Sequence, residues 1–169
     1  MTQEQVRALF IYWRGHLYWR PRPREAFASP NAYAMWNKRY AGLQAGSIGE
    51  RGYRKIAIFK TCYLEHRLVW LYHKGWMPEA IDHKNGKKTD NRIGNLRPAT
   101  QMENRWNSRR LQTTTTNVKG LYKRDGKYEA HVCSNYVRYY LGRFVRKSDA
   151  KRAVTAARKA LHKAFARTG

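Results

Sequence analysis

The segment from residue 80 to residue 107 combines the residue types that hydrolysis of a phosphodiester bond requires. An acid and an imidazole, Asp82 and His83, stand side by side near its start, and Asn104 lies near its end. The oxygens of Asp82 and Asn104 suit a hard cation such as Mg²⁺ or Mn²⁺. An unperturbed imidazole has a pKa of about 6.5, so His83 could accept a proton from water near neutral pH. A metal beside the phosphate would stabilise the developing charge and the leaving 3′ oxygen. These parts predict a phosphodiesterase that uses one divalent metal ion.

Local patterns predict the elements that position these side chains. Residues 81–83 have the pattern of a short strand, Asn85-Gly86 is a tight-turn dipeptide, and residues 96–99 can return as a second strand. Thr100 is a candidate N-cap, because Thr100-Gln101-Met102-Glu103 has the capping-box pattern. We therefore expect a hairpin with a long polar loop, packed on a helix that carries Asn104.

The residues upstream predict a small mixed framework around this segment. Residues 10–13 and 16–19 read as a hairpin that turns at Arg14-Gly15. Residues 53–59 and 62–64 read as a second pair of strands, and residues 64–73 have the apolar spacing of a helix.

At these residues the sequence resembles the HNH endonucleases, in particular phage-type homing endonucleases with the ββα-metal fold. The resemblance extends from about residue 9 to residue 110, and its motifs are specific because they occur in the family's order. It implies an α+β fold class and a nuclease domain over residues 1–110, with a ββα-metal core at about residues 80–108. The matching motifs are Gly15 with Leu17-Tyr18-Trp19-Arg20, Trp36-Asn37, Ala41-Gly42, Gly52-Tyr53, His66-Arg67-Leu68-Val69-Trp70, Asp82-His83, Asp90-Asn91-Arg92 and Asn95-Leu96-Arg97.

The resemblance also implies roles for individual residues. His83 matches the general base of the family, and Asp82 and Asn104 match its metal ligands. Asn95 matches the middle position of the motif, which braces the loop and orients the base. Asn91 and Arg92 match a polar pair near the site, and the resemblance implies that Arg92 or Arg97 contacts the scissile phosphate.

The charge of the chain predicts a polyanionic partner. The 169 residues include 35 Lys and Arg against 11 Asp and Glu, a formal net charge of +24. Residues 1–110 carry 21 basic and 8 acidic side chains, and residues 111–169 carry 14 and 3, so both parts are basic. Nucleic acid is the first candidate partner, and no apolar run approaches the length of a membrane span. We expect a cytoplasmic protein (the host cytoplasm, if a phage encodes it) without membrane contact, in which Cys62 and Cys133 form no disulfide.

The last third of the chain predicts a second, smaller domain. The polar residues 111–117 contain four consecutive threonines and read as a linker; an exposed strand of threonines is the alternative. Three strand-like runs follow at residues 120–123, 128–133 and 138–141, with a turn at Asp125-Gly126. A helical stripe then begins near Ser148, which is a candidate N-cap. We expect a domain over residues 118–169 in which a three-stranded antiparallel sheet packs on one helix.

This part of the sequence resembles the plant Apetala-type (ethylene-response-factor) DNA-binding domain. The resemblance rests on Lys119-Gly120-Leu121, Lys127-Tyr128-Glu129-Ala130, Tyr140-Leu141-Gly142-Arg143-Phe144 and the Ala-rich helix after Ser148-Asp149-Ala150. It implies that the sheet contacts duplex DNA through Lys119, Tyr122, Arg124, His131, Arg138 and Tyr140. Tyr122 and Cys133 replace arginines of the plant pattern and His131 replaces an acid, so the base specificity of the plant domains does not transfer. A basic sheet that binds any duplex through its phosphates is the alternative.

The sequence therefore predicts a metal-dependent endonuclease that acts on double-stranded DNA, as a monomer or as a DNA-bound dimer. The homing type is implied by the resemblance alone. The alternative is a DNA-binding regulator with a catalytically inactive HNH scaffold. An RNA-binding protein ranks last, because no aromatic platform for single strands is evident in the sequence.

Overall fold

A computed structural model describes residues 1–107 and 116–166 of the chain. The chain forms two compact units, residues 1–98 and residues 99–169. This division groups the helix that carries Asn104 with the second unit, whereas the sequence pattern groups it with the nuclease core. Most of the predicted linker, residues 111–117, lies outside the described residues, so the predicted domain boundaries stay predictions.

Residues 1–99 form three α-helices and seven strands. In chain order these are α1 (Gln3–Leu9), β1 (Phe10–Trp13), β2 (His16–Trp19), α2 (Pro30–Tyr40), β3 (Ser47–Ile48), β4 (Arg54–Ile58), β5 (Thr61–Leu64), α3 (Glu65–Lys74), β6 (Ala80–His83) and β7 (Leu96–Ala99). β1 and β2 form an antiparallel hairpin, β3, β4 and β5 form an antiparallel sheet, and β6 pairs with β7. The predicted hairpin, second strand pair, helix and site strands are all confirmed, while α1 and α2 are not among the predicted elements.

Helix α3 supplies both core and site residues to the first unit. Its apolar side chains, Leu68 and Leu71 among them, are buried together with Phe10 and Leu17 of the first hairpin and with residues of β4, β6 and β7. The helix ends at Gly75, whose φ of 75° is the left-handed conformation that favours glycine at this position. Its first two residues, however, are the polar Glu65 and His66, and both are buried. The fold therefore buries these two polar groups next to the apolar core.

Residues 100–166 form a helix and then a sheet that packs on a second helix. The elements are α4 (Gln101–Asn107), β8 (Leu121–Arg124), β9 (Lys127–Ser134), β10 (Val137–Phe144) and α5 (Lys147–His162). The strands form an antiparallel sheet in the order β10-β9-β8, as the sequence predicts. Alternate residues of β9, Ala130 and Val132, are buried against Ala150 and Val154 of α5. A small apolar core thus covers one face of the sheet, and Tyr122 and Tyr140 are exposed outside this core.

Two local features of the second unit concern β10 and α5. A β-bulge between Tyr140 and Gly142 shifts the register of β10, so that Leu141 and Phe144 both pack against the core of the unit. The predicted N-cap at Ser148 is wrong: the helix begins one residue earlier, at Lys147, and its N-cap is Arg146 without a side-chain cap hydrogen bond. Asp149 lies in the first turn instead, where its negative charge interacts favourably with the helix dipole. Its carboxylate accepts hydrogen bonds from Arg146 and Arg152.

Within the described residues no helix has the length and apolar character that crossing a membrane requires. The thiols of Cys62 and Cys133 are both exposed and free.

Candidate active site

Strand β6 ends with the acid and the imidazole that the sequence singles out. Only 3% of Asp82 and 5% of His83 is exposed to solvent. Because successive side chains of a strand point to opposite faces, the two residues make different contacts. Asp82 contacts Arg97 of β7, and His83 contacts Asn91 of the loop between the two strands. Burial of polar groups costs free energy unless they are hydrogen-bonded, and these contacts offset that cost.

A chain of hydrogen bonds links His83 to the start of α3. The Nε2 atom of His83 lies 2.9 Å from Oδ1 of Asn91, and Nδ2 of Asn91 donates to Oε2 of Glu65 at 2.6 Å. Asn91 is 1% exposed and Glu65 is fully buried. The imidazole is therefore held through an amide by a carboxylate that solvent does not reach.

Donor groups surround the carboxylate of Glu65. The backbone N–H of Leu17 donates to its Oε1 at 3.0 Å, and Nδ1 of His16 lies 3.3 Å from its Oε2. The Nε atom of Arg54 lies 3.8 Å from the same Oε2. Residues of the β1–β2 hairpin and of strand β4 thus contact one buried carboxylate on helix α3. The position of this carboxylate depends on the packing of all three elements.

Asp82 and Arg97 form a buried ion pair across β6 and β7. Nε and Nη2 of Arg97 lie 2.8 Å and 2.6 Å from Oδ2 of Asp82. Two short contacts from one guanidinium hold the carboxylate in a single orientation. The sequence predicts Asp82 as a metal ligand and Arg97 as a phosphate contact, and the structure brings these two residues together.

Asn95 braces the loop between β6 and β7. Its Nδ2 donates to the backbone carbonyl of Asp90 at 2.7 Å and to Oδ1 of Asn85 at 3.1 Å, and its Oδ1 accepts from the backbone N–H of Asn85. The same loop presents Asn91 to His83. Asn95 therefore fastens the two sides of the loop, while the side chain that contacts the imidazole belongs to Asn91.

Arg92 lies at the surface in a bidentate pair with Asp90. Its Nε and Nη2 donate to the two carboxylate oxygens at 2.8 Å and 2.7 Å. The hydrogen bonds from Arg92, together with one from Asn85, hold the pKa of Asp90 well below its usual range. The exposed guanidinium at the rim of the loop can still bind a phosphate, but Asp90 already neutralises part of its positive charge.

Two aromatic side chains line the His83 ring. The His66 ring lies edge-on to it with centroids 5.1 Å apart, and the Tyr53 ring lies 6.1 Å away. Burial, assisted by the nearby charges of His83 and Arg67, lowers the pKa of His66 to about 3. Burial, and then the negative charge of Asp82, raises the pKa of Tyr53. His66 is therefore neutral at physiological pH and packs behind the imidazole as an uncharged ring.

Asn104 lies on α4, in the second unit, and is half-buried. The predicted capping box of this helix is confirmed: Glu103 N–H donates to Thr100 Oγ1, and Thr100 N–H donates to the Glu103 carboxylate. Among the described residues, no group of three His, Cys, Asp or Glu side chains could hold a metal ion by itself. Mg²⁺ commonly binds through one or two protein oxygens together with waters and substrate phosphates, and the Asp82 carboxylate and the Asn104 amide each offer an oxygen of the type that such an ion accepts.

Four of the six residues predicted to contact DNA form a cluster on the sheet of the second unit. The His131 ring lies between Tyr122 and Tyr140, at centroid distances of 5.8 Å and 5.1 Å. The guanidinium of Arg138 lies 5.6 Å from the Tyr122 ring. Burial, and then the charge of Arg138, lowers the pKa of His131. We call Tyr122, His131, Arg138 and Tyr140 the sheet cluster; it combines aromatic faces with a cation.

The other two predicted DNA contacts, Lys119 and Arg124, differ from the sheet cluster in the contacts that they make. Nζ of Lys119 donates to the backbone carbonyl of Arg105 at 3.0 Å. The side chain of Arg124 is largely exposed at the end of β8, with its Nε 4.0 Å from the Asp125 carboxylate. Lys119 therefore fastens α4 to the sheet, and Arg124 extends the basic surface near the β8–β9 turn.

Three residues of the sheet cluster, Tyr122, His131 and Arg138, help to line a basic cavity of about 410 Å³ within the second unit. Trp106 stacks on His162 at its wall, with ring centroids 4.5 Å apart, and Nε2 of His162 donates to the carbonyl of Cys133. The described residues that line it include no Asp or Glu, and its cations are Arg105, Lys119, Arg138 and Arg158. This surface favours an anion.

Comparison with protein families finds a match to the segment that contains the site residues of α3, β6 and the β6–β7 loop. Residues 63–106 match the family described as HNH endonuclease. The matched range contains Glu65, Asp82, His83, Asn91 and Asn104. The match supports the nuclease part of the sequence-based resemblance, while the phage-type assignment and the Apetala-type assignment stay predictions. No curated protein and no solved structure matches the chain.

Within the matched segment, Glu65 is a site residue that the sequence alone did not indicate. It stands next to His66 in a stretch that otherwise reads as a buried helix, and an acid at the start of an apolar helix is usually solvated and favourable to the dipole. The spacing of 26 residues to Asn91 gives no periodic signal. Only the packing of α3 against the loop between β6 and β7 brings the two residues together.

Proposed function

We propose that this protein is a metal-dependent DNA endonuclease of homing type, in which His83 is the general base and Asp82 and Asn104 hold the metal ion. The observation that carries the proposal is the buried pair of Asp82 and His83 at the end of β6, inside a segment that matches the HNH endonucleases. A buried imidazole beside a buried acid is a costly arrangement that catalytic sites commonly contain.

The reaction follows from the chemistry of the residues. His83 takes a proton from a water molecule, the water oxygen forms a bond to phosphorus, and the bond from phosphorus to the 3′ oxygen breaks. The products are a 5′-phosphate and a 3′-hydroxyl, the latter after it receives a proton from solvent. Arg92, at the rim of the loop, binds a neighbouring phosphate.

The metal contributes through Asp82 and Asn104. When bound, the ion supplies electrostatic stabilisation for the charge on the scissile phosphate and on the leaving oxygen. Arg97 keeps the Asp82 carboxylate in one orientation, and Asn95 keeps the loop closed around the base.

The second unit holds the duplex in this proposal. Its sheet cluster and basic cavity offer aromatic faces and cations, and a chain of net charge +24 binds the DNA backbone strongly at low salt. One site per chain predicts that a monomer nicks one strand, and a dimer bound to DNA would cut both.

One observation favours the alternative of a DNA-binding regulator with an inactive nuclease scaffold. Arg97 already neutralises Asp82 through two short contacts, so a metal ion has to compete with a guanidinium for the carboxylate. Tight duplex binding without cleavage at any divalent metal would support this alternative.

The test is cleavage of supercoiled and linear duplex DNA by the full-length protein with Mg²⁺ or Mn²⁺. We expect nicking or cleavage that chelation by EDTA abolishes and that His83→Ala reduces by about 10²–10⁴-fold, the usual contribution of a general base. His73→Ala, a histidine on α3 outside the hydrogen-bond chain, is the matched control and keeps wild-type cleavage. Equal activity of His83→Ala and the wild type would refute the proposed mechanism.

A further inference from the structure

The structure places a buried carboxylate two hydrogen bonds away from the proposed general base. We propose that Glu65 is a positioning residue for His83: acting through Asn91, it fixes the imidazole tautomer that carries its hydrogen on Nε2, so that Nδ1 is the proton-accepting atom. This inference rests on the proposed function for its catalytic meaning, but the tautomer itself can be measured independently.

The direction of the hydrogen bonds follows from the donor and acceptor capacity of each group. An ionised carboxylate only accepts hydrogen bonds, so the Asn91 atom 2.6 Å from Glu65 Oε2 is the amide nitrogen, which donates. The other amide atom, Oδ1, then faces Nε2 of His83 at 2.9 Å. Because that oxygen only accepts, Nε2 carries the hydrogen, and the lone pair of the neutral ring lies on Nδ1.

The surroundings of Glu65 fix the orientation of its carboxylate. The N–H of Leu17 donates to Oε1, and the guanidinium of Arg54 lies 3.8 Å from Oε2. Both groups belong to elements that pack against α3 in the core of the first unit. The carboxylate oxygens are therefore held in place as hydrogen-bond acceptors, and the Asn91 amide is oriented so that its NH₂ group faces them.

The same chain assists the proton transfer. When His83 accepts a proton on Nδ1, the ring becomes a cation whose Nε2–H still donates to Asn91. The Glu65 carboxylate thus holds the ring in place through the oriented amide, as the acid of a hydrolase triad orients its histidine. Glu65 is fully buried behind Asn91, so it acts on the reaction through His83 and not through contact with DNA.

The decisive substitution is Glu65→Gln, which keeps the size of the side chain and removes its charge. The new amide oxygen can accept from Leu17 N–H, and its NH₂ group then faces Asn91. Two donors cannot face each other, so the Asn91 amide reverses and presents its own NH₂ group to His83. The imidazole then accepts on Nε2 and carries its hydrogen on Nδ1.

Side-chain ¹⁵N NMR of the full-length protein, free of metal and DNA, reports which ring nitrogen of His83 is protonated. We expect Nε2–H in the wild type and Nδ1–H in Glu65→Gln. In the cleavage assay, the variant should show a kcat about 10²–10⁴-fold lower with little change in KM. Glu79→Gln, which neutralises an exposed carboxylate, is the control and should change neither readout.

A double variant distinguishes positioning from a structural role. Asn91→Asp combined with Glu65→Gln restores an acceptor that receives hydrogen bonds from the new amide and from His83 Nε2–H. We expect the double variant to recover the Nε2–H tautomer and to have a kcat at least tenfold higher than that of Glu65→Gln. The inference is wrong if Glu65→Gln keeps the Nε2–H tautomer, or if the tautomer changes without loss of kcat in an active enzyme.

The NMR readout keeps this inference separate from the proposed function. A wild type that cleaves no DNA with any divalent metal would refute the nuclease proposal alone. The tautomer change in Glu65→Gln would still decide whether Glu65 controls His83.

Discussion

Arg97 and Asp82 are joined across β6 and β7 by two contacts, of 2.8 Å and 2.6 Å, to the same carboxylate oxygen. Both residues are largely buried, so the pair is shielded from solvent. Removal of one partner from a buried pair leaves the other charge unpaired, which commonly costs about 3–5 kcal/mol. The same guanidinium competes with any cation for Asp82.

The first prediction therefore concerns Arg97→Gln. The variant should unfold at a lower temperature than the wild type without metal, because the Asp82 carboxylate loses its two short contacts to the guanidinium. Addition of Mg²⁺ or Mn²⁺ should then raise the melting temperature of the variant more than that of the wild type, since a ligand that binds only the folded state stabilises it. Thermal unfolding with and without metal measures this. An equal metal effect on the variant, the wild type and an Asp82→Asn control would contradict a metal site at Asp82.

The second prediction concerns His66 and pH. Burial lowers the pKa of His66 to about 3, compared with 6.5 for a solvated histidine, and the neighbouring His83 and Arg67 charges act in the same direction. Between these values the unfolded chain binds the proton and the folded one does not. The contribution of His66 to the free energy of unfolding is thus fully present above pH 6.5. It is lost as the pH falls towards 3, by at most about 1.4 kcal/mol per pH unit.

Urea unfolding at pH 7.5 and at pH 5 measures the effect of His66. We expect His66→Gln to lose less stability than the wild type between these pH values, because the glutamine side chain does not titrate. The same loss in both proteins would show that His66 does not carry the acid sensitivity.

The local elements of the site could be predicted from the sequence because local chemistry specifies them. The Asn85-Gly86 turn, the capping box at Thr100 and the alternation along β9 each depend on neighbouring residues. For this reason the strands around Asp82 and the helix that carries Asn104 were predicted close to their observed bounds.

The contacts between distant residues could not be predicted in the same way. Asn91 lies 26 residues from Glu65, and Asp82 lies 15 residues from Arg97. Such pairs are set by the packing of α3, the β1–β2 hairpin and the site strands, and one sequence carries no local signal for them. The resemblance assigned orientation of the base to Asn95, whereas the side chain placed at the His83 ring is that of Asn91.

The third prediction concerns Gly15, in the turn between β1 and β2. Its φ is +93°, and a Cβ atom there would lie 2.9 Å from Arg92 N and 3.3 Å from the carbonyl carbon of Asn91. Gly15→Ala should therefore displace the loop that presents Asn91 to His83, and lower both stability and cleavage rate. Gly42→Ala is the matched control, because Gly42 has φ +80° but no atom within 4 Å of its Cβ position.

Left-handed backbone strain alone costs about 1–2 kcal/mol in a residue other than glycine. We expect Gly42→Ala to show only this loss of stability and to keep its kcat, whereas Gly15→Ala loses more stability and also kcat. Thermal unfolding and the cleavage assay measure the two effects. If both variants kept the same kcat, the turn at Gly15 would have no part in positioning the base.

The fourth prediction tests whether the sheet cluster binds duplex DNA. Arg138 lies over the Tyr122 ring on the sheet face opposite α5. We expect its guanidinium to contact a phosphate or a base of the bound duplex. Arg138→Ala should weaken duplex binding, and loss of a phosphate contact should reduce the slope of log affinity against log salt by about 1. Arg152→Ala on α5 is the matched control, because it removes an exposed arginine that pairs with Asp149. Fluorescence anisotropy of labelled duplex DNA at several salt concentrations measures both variants. Equal weakening by Arg138→Ala and Arg152→Ala would indicate that total charge, and not the sheet cluster, determines the affinity.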